Sequence, residues 1–228
     1  MEAFRYGWEA FARNAGTFVV GVVVYLAVIV VVVVVAYAAV LGLGLGLGLA
    51  ATPESGGMAG LGVLGLLLGM GVLVLAVGVL GSLLHAGLLR AALDVTQGRT
   101  VTVASFYRFE AVGQVLLAAL LCSLAIGVGS MLFYLPGIIA GFYAQWVLLL
   151  VVGRGLRAVD AIRQSIAMTQ ANLGPSLLLY LGVAVVTSIG SAVCGVGVVV
   201  SVPVAVLAQA FVYRRLLGEP VLALPPRF

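Results

Sequence analysis

The sequence contains very little charge. Only 8% of its 228 residues are charged, against 64% that are hydrophobic. A soluble domain carries about 25% charged residues, so a soluble globular class is excluded and most of the surface is expected to face lipid. All 11 basic residues are arginines, and they lie in scattered groups rather than along one basic face. Nucleic acid is therefore not an expected partner.

Histidine and cysteine are also scarce. His85 is the one histidine, and the two cysteines, Cys122 and Cys194, both lie inside apolar runs. A zinc site needs three or four ligands, and a disulfide framework needs several cysteines. We therefore expect no metal site and no cofactor. Catalysis needs convergent ionisable groups, which this chain hardly offers, so we expect no enzymatic activity.

What the sequence does contain is long apolar runs. A helix needs about 20 apolar residues to cross a membrane, and lipid forces every backbone group to bond internally, even in a valine-rich run. The sequence predicts an all-α, polytopic integral membrane protein with six transmembrane helices, arranged as three hairpins that are each preceded by a short amphipathic interfacial helix. The predicted spans are residues 17–41, 58–89, 111–133, 137–152, 175–193 and 196–213.

The whole chain, 1–228, is predicted to form a single membrane domain. Alternating leucine and glycine at 41–49 has no strand–loop–helix context for a phosphate loop, so we interpret it as a flexible exit from the first span. The predicted order is an interfacial helix at 2–15, a hairpin at 17–89, a cytoplasmic segment with a short helix at 90–110, a hairpin at 111–153, an interfacial helix at 155–173, a hairpin at 175–213, and a cytoplasmic tail at 214–228.

The first predicted helix has one aromatic face and one charged face. Phe4, Trp8 and Phe11 recur at helical spacing, and a second face carries charges four residues apart that can pair along the helix, namely Arg5, Glu9 and Arg13. This pattern favours a helix at the membrane interface with Trp8 as an anchor at headgroup depth. A soluble cap helix is the alternative.

The arginines predict the orientation of the chain. With six spans, every arginine falls on the side that holds both termini, while Glu54 is the charged residue assigned to the opposite side. Positive residues are retained in the cytoplasm, so both termini are predicted to be cytoplasmic in a bacterial plasma membrane. The first apolar run exceeds the about 7–15 residues of a signal-peptide core, so we expect it to be retained as a span.

A short pattern recurs where each surface helix meets a span. A polar residue is followed within two or three positions by glycine, as in Asn14-x-Gly16, Glu110-x-x-Gly113 and Asn172-x-Gly174. The polar side chain can cap the surface helix, and glycine permits a sharp turn into the membrane. The pattern predicts a threefold internal repeat.

Several motifs resemble a widespread family of bacterial six-span proteins, many of them from actinobacteria. The matching motifs are Tyr6-Gly7-Trp8-Glu9-x-Phe11-x-x-Asn14-x-Gly16, Arg90-Ala91-Ala92-Leu93-Asp94, Leu135-Pro136-Gly137-Ile138, Gly155-x-x-x-Val159-Asp160-Ala161 and Ala171-Asn172-x-Gly174. The family is similar to the membrane domain of some glycerophosphodiester phosphodiesterases and to the YciC-like proteins. The resemblance implies a six-span fold without the soluble hydrolase domain, and it implies no particular activity.

Two groups of polar residues are functional candidates. Gln145, Gln209 and His85 lie within or near spans and could line a polar path, although such residues more often bond across helices. Asp160 lies three residues from both Arg157 and Arg163, where local pairing is the simpler interpretation. The candidate cytoplasmic contacts for lipid or a partner are Arg90, Arg99, Arg154, Arg157, Asp160 and Arg163.

These groups lead to two functional hypotheses. The first is a non-enzymatic scaffold or regulatory partner in the cell envelope, whose cytoplasmic arginines contact anionic headgroups, a protein partner or a second copy of the chain. The second is a transporter or conduit for a small solute or lipid through the six-helix bundle. No predicted span carries the buried carboxylate or arginine that coupled transporters usually need, which favours the first hypothesis.

Overall fold

The computed structural model describes residues 2–50, 58–107, 111–192 and 197–221. These residues form an all-helical structure, and no strand occurs among them. The predicted polar loop after the first span, Glu54, Arg108, Glu110, the turn at Cys194 and Arg227 lie outside the described residues.

The helices follow one another with short connections. They are α1 (Glu2–Arg13), α2 (Ala15–Ala50), α3 (Met58–Thr96), a 3₁₀ helix (Val103–Tyr107), α4 (Val112–Phe133), α5 (Leu135–Ala144), α6 (Val147–Arg154), α7 (Ala158–Ala171), α8 (Leu173–Ala192) and α9 (Val198–Leu216).

Six segments of the described chain are long and apolar enough to cross a membrane: Ala15–Gly42, Gly65–Thr96, Val112–Phe133, Leu135–Arg154, Leu173–Ala192 and Val198–Leu216. The prediction of an all-helical protein with six candidate spans is confirmed, and these segments indicate a multi-pass membrane protein. The grouping into three hairpins and the interfacial placement of α1 and α7 stay predictions.

Two predicted boundaries differ from the structure. Helix α2 continues to Ala50, so the interpretation of 41–49 as a flexible exit is wrong. A helix bonds its own backbone, and in an apolar segment this requirement outweighs the poor helix propensity of glycine. The fourth predicted span, 137–152, is interrupted: α5 ends at Ala144, and α6 begins at Val147 after a turn at Gln145 and Trp146.

The chain forms two compact units, which are the described parts of Val23–Gly81 and of Met1–Val22 with Ser82–Phe228. The smaller unit consists of helical segments of α2 and α3. Helix α3 has 39 residues and is therefore about 58 Å long at 1.5 Å per residue, well beyond the hydrocarbon thickness of a bilayer.

Helix α9 lies at the core of the larger unit. Most of its residues are buried, and both α1 and α8 pack against it. Gly7 allows a close approach of α1, because a Cβ atom at this position would lie 2.6 Å from the carbonyl oxygen of Val204. The ring of Tyr6 lies 4.7 Å from that of Phe211, between centroids. Helix α1 is thus held along one side of α9.

Helices α4 and α5 also pack closely. Tyr134 joins them with a positive φ of 61°, which is unusual for a residue that has a side chain. A Cβ atom at Gly129 would lie 2.8 Å from the backbone nitrogen of Gly137, so the two helices meet nearly backbone to backbone. The turn predicted at 134–137 is therefore present, and the helices that it joins are neighbours.

Candidate functional site

The interruption of the fourth span is bonded by side chains from two other helices. The amide nitrogen of Gln209 on α9 donates to the backbone carbonyl of Gln145, at 2.5 Å. The hydroxyl of Ser165 on α7 donates to the carbonyl of Tyr143 at 2.6 Å and accepts from the backbone N–H of Trp146 at 3.3 Å. Each contact bonds a backbone group at the break, where the regular helical pattern is lost.

The buried face of α7 explains this arrangement. Ala158, Ala161, Ser165 and Met168 recur at helical spacing and are all buried. Ser165 and Thr169 are the polar residues of this buried face, and their position within a mainly apolar stripe is the pattern that could have identified Ser165 from sequence. The sequence alone does not distinguish this serine, because a serine on an amphipathic helix rarely stands apart from its neighbours.

The start of α7 is bonded by a side chain of α4. The side-chain oxygen of Gln114 on α4 accepts a hydrogen bond from the backbone N–H of Ala158, at 2.9 Å. A helix leaves its first four N–H groups without internal partners, so Gln114 serves as an acceptor supplied by another helix. The sequence alone showed only a glutamine near the beginning of a span.

Of the three candidates for a polar path, the structure brings two into contact and leaves the third apart. Gln145 and Gln209 are brought together, and both are partly buried. The side-chain nitrogen Nε2 of Gln145 is buried and has no hydrogen-bond partner among the described residues. His85 lies half-buried on α3, and no hydrogen bond of the described chain connects it to either glutamine. The glutamines therefore form a pair, and the path through all three stays a prediction.

Charged side chains near the end of α9 link several helices. Glu219 forms ion pairs with Arg154 at 3.6 Å and with Arg214 at 3.7 Å. Arg215 donates to the carboxylate of Glu2 on α1, at 2.8 Å. The structure thus brings together the ends of α6 and α9 and the start of α1, three places that are far apart in the sequence.

The remaining candidate contacts are mostly at the surface. Arg99 pairs with Asp94 at 3.4 Å, and Arg90 is half-buried. Asp160 and Arg163 are exposed on α7, and Arg157 is exposed directly before it. Among the described ion pairs none joins Asp160 to either arginine. The predicted anchor, Trp8, is 56% exposed. The exposed side of α7 is therefore charged, opposite its apolar packed side.

On α1, the predicted charge ladder is only partly formed. Arg5 pairs with Glu9 at 3.4 Å. Arg13 does not pair with Glu9; its Nε and Nη1 atoms are buried and lack a hydrogen-bond partner among the described residues. The spacing of Arg5, Glu9 and Arg13 in the sequence could not show that part of the Arg13 side chain is buried.

Comparison with known proteins gives relatives in mycobacteria. The chain is 31% identical over 224 residues to the "Uncharacterized protein Rv2560" of Mycobacterium tuberculosis strain H37Rv, an alignment that covers 96% of this chain and 69% of the relative. The "Uncharacterized protein Mb2590" of Mycobacterium bovis and the "Uncharacterized protein MT2637" of Mycobacterium tuberculosis strain CDC 1551 match with the same identity and coverage. No family model matches the chain, and no solved structure matches it.

These relatives agree with the resemblance to an uncharacterised actinobacterial family. None of them is named as a phosphodiesterase or a YciC-like protein, so that part of the resemblance gains no support. At this identity and coverage the family is established: the chain belongs to the family of the uncharacterized mycobacterial protein Rv2560.

Proposed function

We propose that the protein is a non-enzymatic, multi-pass protein of the bacterial plasma membrane that acts as a scaffold or regulatory partner. Both termini are placed in the cytoplasm in this proposal, because the arginines of the sequence then all face the side that retains positive charge. The mycobacterial relatives support a bacterial setting and carry no assigned activity.

The observation that carries the proposal is the two-sided character of α7. Its packed side is fixed by Ser165 at the break and by Gln114 at the helix start. Arg163 is exposed on its other side, and Arg157 is exposed directly before the helix begins. A helix held this firmly presents its exposed charges in a constant arrangement, which suits contact with anionic headgroups or with an acidic surface of a partner protein. An arginine near an anionic leaflet contributes about 1 kcal/mol.

The same hydrogen bonds weigh against a hydrophilic passage. Gln114, Ser165 and Gln209 all direct polar atoms at backbone groups of neighbouring helices. Thr187 and Ser191 bond carbonyls of their own helix. Polar atoms that are already hydrogen-bonded to the backbone stabilise the helices and are not available to coordinate a passing solute.

The experiment compares the double variant Arg157→Gln/Arg163→Gln with the wild type in nanodiscs of mixed anionic and zwitterionic lipid. Native mass spectrometry counts the anionic lipids that each protein retains. We expect the double variant to retain fewer. Arg5→Gln is the matched control, because its side chain is 82% exposed and already paired with Glu9. Equal retention by all three proteins, with no partner protein lost from the double variant in cross-linked membranes, would exclude the proposal.

A conduit for a small solute or lipid is the second candidate, and the break in the fourth span favours it. Interrupted membrane helices often form the substrate sites of transporters. The unpartnered side-chain nitrogen of Gln145 lies at this break. A small-molecule adduct retained by the wild type at fixed stoichiometry, and lost in Gln145→Leu, would favour the conduit. An unchanged spectrum in that variant would favour the scaffold.

A further inference from the structure

A groove lies between helices α1, α8 and α9 of the larger unit. Its volume is about 430 Å³, and ligand pockets typically measure about 300–1,000 Å³. Its lining includes Trp8 on α1, Val186 and Ile189 on α8, and Val200 and Ser201 on α9. Two of its three walls, α8 and α9, are candidate membrane spans. The groove is therefore a concave surface where two apolar spans meet the first helix.

Close contacts hold the three walls at fixed separations. A Cβ atom at Gly197 would lie 2.5 Å from the carbonyl oxygen of Gly190, so α8 and the start of α9 meet backbone to backbone. The ring of Phe4 on α1 occupies the space that a side chain at Gly182 on α8 would fill. Gly7 brings α1 against α9 in the same way. Each pair of helices is thus in close contact, and the groove between the contacts is part of the folded structure.

The lining of the groove fits an apolar occupant. Among the described residues that line it, none carries a charge. Ser201 is 7% exposed, and its hydroxyl has no hydrogen-bond partner among the described residues. A polar ligand would give up its hydration here for at most a hydrogen bond to that hydroxyl or to the indole of Trp8. A hydrocarbon chain gives up no hydrogen bonds and gains contact with the apolar walls.

The charged residues of α1 beside the groove form a neutral pair. Arg5 directly follows Phe4, Glu9 directly follows Trp8, and the two charged side chains pair at 3.4 Å. This pair offers little net charge to attract an ionic headgroup. Trp8 lines the groove and is also 56% exposed, which suits an aromatic ring at the boundary between acyl chains and headgroups. An occupant is therefore selected by its apolar part.

We propose that this groove binds one acyl chain of a membrane phospholipid. Hydrocarbon chains are the medium that surrounds a membrane span, so they are the apolar ligand present at the highest concentration. A chain in the groove contacts three helices at once, whereas a chain on a convex helix surface contacts one, so the bound chain is retained longer. The proposal uses neither Arg157 and Arg163 nor Gln145 and is independent of both functions considered above.

The fluorescence of Trp8 tests the proposal. The full chain in detergent is titrated with phosphatidylcholine whose acyl chains are brominated, because bromine quenches an indole that it touches. The second tryptophan of the chain, Trp146, is completely buried and is shielded from the quencher. We expect quenching that saturates at an equimolar amount of lipid. Unlabelled phosphatidylcholine and phosphatidylglycerol should reverse it equally, since the pair beside the groove is neutral.

Matched variants distinguish the groove from the surrounding detergent and lipid. Val186→Phe adds volume inside the groove and is expected to abolish the saturable quenching. Val185→Phe places the same side chain at the neighbouring position, which is 57% exposed and does not line the groove, and should behave like the wild type. Val200→Phe fills the groove from α9 and repeats the test should the first variant disturb α8. Ser201→Ala should retain binding, because the chain is held by its apolar contacts.

Three results would overturn the proposal. One is quenching that rises without saturation and equally in the wild type and Val186→Phe, which would mean that Trp8 meets only bulk lipid. Another is saturable quenching that both Val186→Phe and Val200→Phe retain. The third is a Trp8 that brominated lipid never quenches in a protein that native mass spectrometry shows to be a dimer, which would assign the groove to a second copy. The Arg157→Gln/Arg163→Gln protein should keep the saturable quenching even where it loses anionic lipids, so this site and the scaffold proposal can fail separately.

Discussion

Asn14 and Asn172 occupy equivalent positions in two parts of the chain. Each side-chain amide donates a hydrogen bond of 3.1 Å to the carbonyl four residues earlier, Ala10 in one case and Met168 in the other. Each backbone carbonyl accepts a bond of 3.0 Å from the residue four positions later, Phe18 or Ser176. The junctions α1–α2 and α7–α8 are therefore built alike, as expected for two copies of a repeat.

The first prediction concerns the asparagine side chains at these two junctions. Asn172→Asp keeps the shape of the side chain and removes the donor, so we expect a lower melting temperature and a loss of about 1 kcal/mol in unfolding free energy. Gln170→Glu makes the same chemical change at an exposed position of α7 and is the control. Asn14→Asp should cost a similar amount, and the double variant should be additive because the two sites share no partner. Equal stability of Asn172→Asp and the control would contradict the capping role.

The second prediction concerns Ser165. Ser165→Ala removes the acceptor of the Trp146 N–H and the donor to the Tyr143 carbonyl, so we expect a loss of about 1–3 kcal/mol with little change in volume. Ser191→Ala is the matched control, because the Ser191 hydroxyl is exposed and bonds only the Thr187 carbonyl of its own helix. Chemical denaturation in detergent measures both. A larger effect at Ser191 would be the opposite of what the structure predicts.

The third prediction separates the chemistry of Gln114 from its size. Gln114→Leu removes the acceptor for the Ala158 N–H and should destabilise the protein by about 1 kcal/mol. Gln114→Glu keeps an acceptor and places a negative charge at a helix N-terminus, which is favourable, so it should be at least as stable as the wild type. Hydrogen exchange at the start of α7 reports the effect locally. Faster exchange in both variants would show that the side-chain oxygen is not the relevant group.

The fourth prediction concerns the contact of α1 with α9. Gly7→Ala would place a methyl group 2.6 Å from the Val204 carbonyl, so α1 must shift, and we expect a loss of about 1–3 kcal/mol. Gly16→Ala meets nothing within 4 Å and should be neutral or slightly stabilising. Protease cleavage after Arg5 or Arg13 should be faster in Gly7→Ala if α1 has been loosened. Indistinguishable cleavage of the two variants would mean that α1 is not held at this point.

The sequence allowed the six candidate spans to be predicted because lipid leaves an apolar segment almost no alternative to helix. The interruption at Gln145 and Trp146 was not predicted. Neither residue breaks a helix by itself, and the partners that bond the broken backbone, Ser165 and Gln209, lie on other helices. Local patterns contain no information about such distant partners.

The inward turn of Arg13 was missed for a related reason. The spacing of Arg5, Glu9 and Arg13 predicts a ladder of ion pairs on one exposed face. In the folded chain part of the Arg13 guanidinium group is buried, and tertiary packing outweighs a pairing that contributes only a few tenths of a kcal/mol. Packing between helices thus determines where the Arg13 side chain lies.

The bond between Gln209 and the Gln145 carbonyl also bears on the order in which the protein is made. The two residues are 64 positions apart, so the donor is synthesised long after the carbonyl that it bonds. Until α9 has inserted, Ser165 on α7 is the side chain available to bond the interrupted backbone, and the Gln145 carbonyl lacks its donor from α9. The bonding of the interruption is therefore completed only by the last span, and a chain truncated before α9 should leave the Gln145 carbonyl without this donor.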